Sequence, residues 1–197
     1  MLSDYQEALA RLLVDRCCRE HNRECFGDLE LSAEELDSLR AIDPRALDRV
    51  AASLAEKRRA AVINTVPHAA RLWPELGERY LEQLAAAPAH VEHLDPCLGP
   101  GPSELLRMLP RLRADARIDD GAPAWLGDLL ALELARACTR RDRQTRSLRC
   151  DYPVHQVLHA CDRGWLSVDI DLAPHEYRLD AERLRWREGW REREASP

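Results

Sequence analysis

A chain of 197 residues, 45% hydrophobic and 32% charged, is long enough to bury a sizeable core and too apolar for wholesale disorder. Its formal net charge of −6 argues against a general nucleic-acid binder, which needs clustered Lys and Arg to neutralise phosphates. No run approaches the roughly 18 apolar residues of a membrane helix, and Met1 to Glu7 lack the basic and apolar regions of a signal peptide, so a cytoplasmic protein is expected.

The seven cysteines (Cys17, Cys18, Cys25, Cys97, Cys138, Cys150, Cys161) are odd in number and contain no C-x-x-C pair. That pattern fits mostly buried thiols in a reduced compartment better than a disulfide framework. Lys57 is the only lysine, so nearly every positive charge is a guanidinium.

In chain order, Ser3 and Gln6 have capping-box spacing, and Leu9, Leu12 and Leu13 then share a helical face. Ser32 and Glu35 repeat the signal, which predicts a short helix over 33–41 with Leu36 and Leu39 inward. Asp43-Pro44 is a helix start with proline at the first position, where its missing N–H costs nothing. Leu47, Val50, Leu54, Ala61 and Val62 continue as an amphipathic stripe to about Thr65, and Pro67 ends it. Trp73-Pro74 sets another boundary, after which Leu76, Tyr80, Leu81 and Leu84 form a short apolar face.

Pro96-Cys97-Leu98-Gly99-Pro100-Gly101-Pro102 reads as a linker, with Ser103 capping a helix that carries Leu105, Leu106, Leu109 and Leu112. Pro123 opens a helix so rich in leucine, from Leu126 to Leu134, that it should be buried on more than one side. Residues 165–172 and 175–180 alternate like strands, 183–186 extend or pair with the second, and a short helix (154–162) precedes them. The expected fold is therefore mainly α, a helical bundle over residues 1–95 followed by a helical plus small-sheet domain over 103–197. Its C-terminal part is expected to be a winged-helix-like α+β unit with a two- or three-stranded antiparallel sheet.

Signals for chemistry are sparse. His155 and His159 are four apart on a predicted helix with Cys161 nearby, the one arrangement that would gather three metal ligands, although partly buried helix residues explain it more simply. His90 and His93 lack an acidic ligand set, and the vicinal Cys17-Cys18 pair would make a strained disulfide. Nucleophile elbows, phosphate loops and dinucleotide fingerprints are absent from the sequence, so no catalytic residue and no metal ligand is assigned. The basic run from Arg136 to Arg149 is either a solvated connector or a binder of carboxylates on a partner or an acidic peptide, for which guanidinium forks are suited. An alternating C-terminal strand with an open edge would accept an extended peptide by strand addition.

Residues 44–140, about half the chain, carry a family resemblance. It rests on Glu56-Lys57-Arg58-Arg59, then Val66-Pro67-His68-Ala69-Ala70-Arg71-Leu72-Trp73-Pro74-Glu75-Leu76 running on to Tyr80-Leu81, echoed by Trp125-Leu126-Gly127-Asp128-Leu129-Leu130-Ala131-Leu132-Glu133. This pattern resembles the MbnC-like partner subunits (methanobactin biosynthesis protein C and related proteins) of multinuclear non-haem iron enzymes that oxidise cysteines in ribosomally made peptides. The resemblance implies a non-catalytic subunit of a heterodimeric oxidase, with no cofactor of its own and iron in an MbnB-like barrel partner. It implies binding to the leader of a precursor peptide and to the iron enzyme, and no nucleic-acid or membrane partner. Leader contacts are then expected at Leu166, Val168, Ile170, Tyr177, Leu179, Leu184, Trp186 and Arg146, and the enzyme interface at Arg58, Arg59, Trp73 and Tyr80. The alternative reading is a DNA-binding transcriptional regulator with a winged-helix-like domain.

Overall fold

The computed structural model describes residues 3–20, 25–86, 95, 97–118, 122–164, 170–182 and the backbone of 192–194. The chain is mainly helical with a small antiparallel sheet near the C-terminus. Its helices are α1 (Asp4–Val14), α2 (Arg16–Glu20), α3 (Ala33–Arg40), α4 (Pro44–Thr65), α5 (Pro67–Leu72), α6 (Leu76–Ala86), α7 (Pro100–Ile118), α8 (Leu126–Asp142) and α9 (His155–Asp162). Strands β1 (Arg146–Cys150), β2 (His175–Leu179) and β3 (Glu192–Glu194) complete it. Two compact units emerge, each discontinuous in sequence: residues 1–59 with 81–93, and residues 60–80 with 94–197. Among the described residues no helix is long and apolar enough to cross a membrane.

In the first unit the local signals act as the sequence suggests. Ser3 and Gln6 exchange side-chain and backbone hydrogen bonds at the start of α1, and Ser32 and Glu35 do the same for α3, satisfying orphan N–H groups at each helix start. Ala8, Leu12, Cys18, Phe26, Leu39 and Leu47 form the core. Arg11 ties the loop after α2 down, with a forked pair to Asp28 at 2.6 and 2.8 Å and a bond to the Cys25 carbonyl at 2.9 Å. Cys17 is exposed while its neighbour Cys18 is buried, and burial raises the Cys18 thiol well above its ordinary range.

The second unit is built on α8. Leu126, Leu129, Leu130, Leu132 and Leu134 are all buried, each contributing about 1.5–3 kcal/mol by leaving water. The Pro123 turn leads into this helix through the Leu126 N–H to Pro123 carbonyl bond. Arg143, in the left-handed conformation at φ 64°, ends it, and its N–H bonds the Thr139 carbonyl.

Two expectations change. The proline-rich stretch is not all linker, because α7 begins at Pro100 and takes in Gly101 and Pro102. First-turn N–H groups have no intrahelical acceptor, so prolines there sacrifice nothing. Ser103 consequently lies inside the helix, buried, its hydroxyl donating to the Asp95 carbonyl. The basic run also divides, into the end of α8 and the strand β1.

The sheet order is β1-β2-β3, antiparallel throughout. Leu148 pairs with Tyr177 and Arg149 with Glu176, so the middle strand buries Tyr177 and Leu179 on one face and exposes Glu176 and Arg178 on the other. The described part of the 165–172 alternation, residues 170–172, is not strand, although Ile170 is buried. Residues 165–169 and 183–186 lie outside the described residues.

Candidate functional site

Helix α8 carries two buried carboxylates, Asp128 and Glu133, at 5% and 3% exposure. Buried charge is costly unless it is paired and hydrogen-bonded, so their partners define what this region does. Glu133 accepts the backbone N–H groups of His68 at 3.2 Å and Ala69 at 2.9 Å, and its Oε1 lies 2.7 Å from His68 Nδ1. It therefore caps the start of α5, where Val66 offers no side chain able to do so. The Val66-Pro67-His68 break and the Leu-Glu end of the leucine-rich motif, some 65 positions apart, meet in this one carboxylate.

His68 responds to that contact. The hydrogen bond to Glu133 is the main cause that raises its ring above the ordinary value of 6.5, against the opposing effect of burial, with Asp162 adding to the rise from 3.6 Å.

Asp128 does an equivalent job one and a half turns earlier. Its Oδ2 accepts the N–H groups of Asp151 at 2.7 Å and Tyr152 at 3.1 Å, fixing the turn that joins β1 to α9, and Arg113 pairs with its Oδ1 at 3.0 Å. Burial pushes the Asp128 carboxyl above its usual range, and the two backbone N–H groups and Arg113 act in the opposite direction. Cys150, beside it, is pushed up to about 12 by burial and is not a ready nucleophile. A third buried acid, Glu104, receives the Tyr80 hydroxyl at 3.3 Å and Arg107 at 3.2 Å.

The positions singled out for an interface divide accordingly. Trp73 and Tyr80 are 2% and 0% exposed, so they are core residues whose rings are not presented to a partner. Tyr80 is the hydroxyl donor to Glu104, and Trp73 ends α5 with its N–H on the Ala69 carbonyl. Arg58 and Arg59 are half-buried on α4, and Arg59 pairs with Glu56 at 2.9 Å.

Among the leader positions, Tyr177, Leu179 and Ile170 face the interior, and β2 has a strand on each side, so the middle strand has no edge to offer. Leu166, Val168, Leu184 and Trp186 lie outside the described residues. Arg146 opens β1 with a forked pair to Asp142 and a further bond to the Gln144 carbonyl at 3.2 Å. That pair also holds the Asp142 carboxyl below its usual range. Among the described residues the edge strands are thus β1 and β3, and β1 falls in the basic segment that the sequence left as either a connector or a carboxylate binder.

His155 is not joined by Cys161, which is buried. Its Nδ1 lies 2.9 Å from the Tyr177 hydroxyl, and the His175 ring stands 5.4 Å away. Among the described residues no group of three or more His, Cys, Asp or Glu side chains is placed to hold a metal ion.

The described surface of this unit also holds a cleft of about 560 Å³. The end of α4 (Ala61, Asn64, Thr65), the start of α5 (Pro67, His68), the start of α7 and the C-terminal half of α8 form its walls. Comparison with known proteins gives no match to any protein family, curated protein or solved structure.

Proposed function

We propose that this chain is the non-catalytic partner subunit of an iron-dependent oxidase that modifies cysteines of a ribosomally made precursor peptide. In this reading it binds the precursor's leader and the iron enzyme, and the oxidative chemistry belongs to that enzyme.

The observation that carries this reading is the use made of Glu133. The residues of the resemblance, Val66-Pro67-His68 and Leu129 to Glu133, form one structural joint in which the motif's acid is occupied by capping two backbone N–H groups and pairing with His68. Asp128, the other motif acid, is likewise committed to Asp151, Tyr152 and Arg113. A motif whose acids are spent on holding helices together suits a scaffold that presents a peptide to another protein's active site.

We assign leader capture by strand addition to the outer side of β1, the longer of the two edge strands at 5 residues against 3 in β3. The regulator alternative gains little from α9, where Gln156, His159 and Asp162 are the exposed residues while Val157, Leu158 and Ala160 are buried. Reading base edges takes several exposed donors and acceptors on the inserted helix, and Asp162 would repel phosphate.

A proline and alanine series along β1 tests the leader site. N–H groups alternate between the two sides of a strand, so proline at one of the sets Ser147/Arg149 or Leu148/Cys150 removes donors from β2, and at the other set removes them from the open side. In the set that leaves the circular dichroism spectrum unchanged, proline should weaken binding of a synthetic precursor peptide by about tenfold relative to alanine. Folded proline variants at every β1 position that bind normally would overturn the leader assignment.

A further inference from the structure

The cleft on the second unit is lined by Arg136, Arg140 and Arg141, together with Asn64 and His68. One carboxylate belongs to the lining, Glu133, and it is already engaged by His68 and two backbone N–H groups. Among the described residues neither Arg140 nor Arg141 forms an ion pair. Arg141 is laid against the chain at Gly99, a residue at φ 73° where a Cβ would come within 2.8 Å of Nη1. Gly101 packs too closely against α4 to carry a side chain, since a Cβ there would collide with Thr65 Oγ1 and the Ala61 carbonyl oxygen.

Arginine near a helix C-terminus ordinarily balances the helix dipole from solvent. Arg136 does not fit that role alone, since it lies a turn further in and is partly buried. Burial first and the neighbouring Arg140 second lower its affinity for a proton, while Glu133 and Asp162 act in the opposite direction.

The first turn of α7 decides between anions. Helix starts hold phosphate through a cradle of free backbone N–H groups, but Pro100 and Pro102 have none and the Ser103 N–H is bonded to the Gly99 carbonyl. Recognition is left to guanidinium forks, whose geometry matches carboxylate, beside apolar walls of Ala61, Pro67 and Ala137 that suit the stem of an acidic side chain. A chain of net charge −6 also offers a polyanion such as nucleic acid little attraction elsewhere.

We infer that this cleft is a binding site for an acidic peptide segment, in which Arg136, Arg140 and Arg141 take neighbouring Glu or Asp carboxylates. The site is separate from β1 and does not depend on the leader assignment.

The test is calorimetric titration of the full chain with a blocked peptide carrying a Glu-Glu pair and with its Gln-Gln counterpart, at low salt. The Glu peptide should bind about tenfold tighter than the Gln peptide. The double variant Arg140→Gln/Arg141→Gln, at exposed positions that should leave the fold intact, should lose that preference. Arg136→Lys, which keeps the charge but not the fork, should weaken the Glu peptide severalfold. Equal affinity for the two peptides, or an unchanged preference in the double variant, would overturn the site. So would displacement of the Glu peptide by inorganic phosphate or a DNA duplex at concentrations below its own dissociation constant.

Discussion

The α5–α8 joint and the small sheet spend their polar groups in opposite ways. At the joint, Glu133 and Asp128 point inward and each holds two backbone N–H groups, so every acid is committed to the fold. In the sheet, Tyr177 and Leu179 fill the inner face while the outer side of β1 presents backbone groups that no described strand takes up. The comparison teaches that a motif and an open strand edge need not coincide. Here the recognisable residues build the frame, and less distinctive sequence supplies the exposed edge.

The contrast breaks most readily at the joint. Glu133→Ala strands two backbone donors and the His68 ring, and should cost about 3–5 kcal/mol in urea unfolding, the range for removing one partner of a buried pair. Glu133→Gln keeps an acceptor and should cost less. A loss below about 1 kcal/mol for the alanine variant would mean that the cap is dispensable.

Asp128→Asn is the next largest effect. It keeps the shape but removes the charge that faces Arg113 and replaces one acceptor oxygen, and should cost about 1–3 kcal/mol by the same measurement. Because burial already opposes the Asp128 charge, an asparagine variant as stable as the wild type would show that the N–H contacts, and not the ion pair, do the holding.

The smallest effect sharpens the comparison through pH. His68 is raised above 6.5 in the folded chain, so its pairing with Glu133 stabilises fully below that value and is lost as pH rises through the folded value. The gap in Tm between wild type and His68→Gln should therefore be wider near about pH 5.5 than near about pH 8.5. A gap independent of pH would remove the charged pair from the account.

What could be read in the sequence follows the range of the interaction that decides it. Ser3, Ser32 and Asp43-Pro44 mark helix starts through neighbours within four residues, and α1, α3 and α4 begin where those signals fall. The leucines of α8 announce a buried helix because their density leaves no polar face. The role of Glu133 gives no such sign, since its partners lie about 65 positions away and nothing local names them. Strand β1 was hidden by its arginines, because Arg146 and Arg149 read as a solvated run although Leu148 and Cys150 turn inward. Residues 170–172 show the reverse error, an alternation that looks like strand where the chain instead buries Ile170 in irregular structure.

The cleft was half visible, as a basic run suited to carboxylates. Its walls, assembled from α4, α5 and α7, were not, because only the fold brings Asn64, His68 and Gly101 to Arg136.

The central claim is that this chain supports oxidative chemistry performed elsewhere. The most direct test incubates a cysteine-containing precursor peptide with the purified chain, with an iron-loaded barrel oxidase, and with both, in air, while iron in the purified chain is measured after chelation. The account predicts substoichiometric iron in the chain, no modified cysteine with the chain alone, and conversion detected by mass spectrometry when the two proteins are combined. One equivalent of iron retained through chelation, or modification of the peptide by the chain unaided, would contradict it.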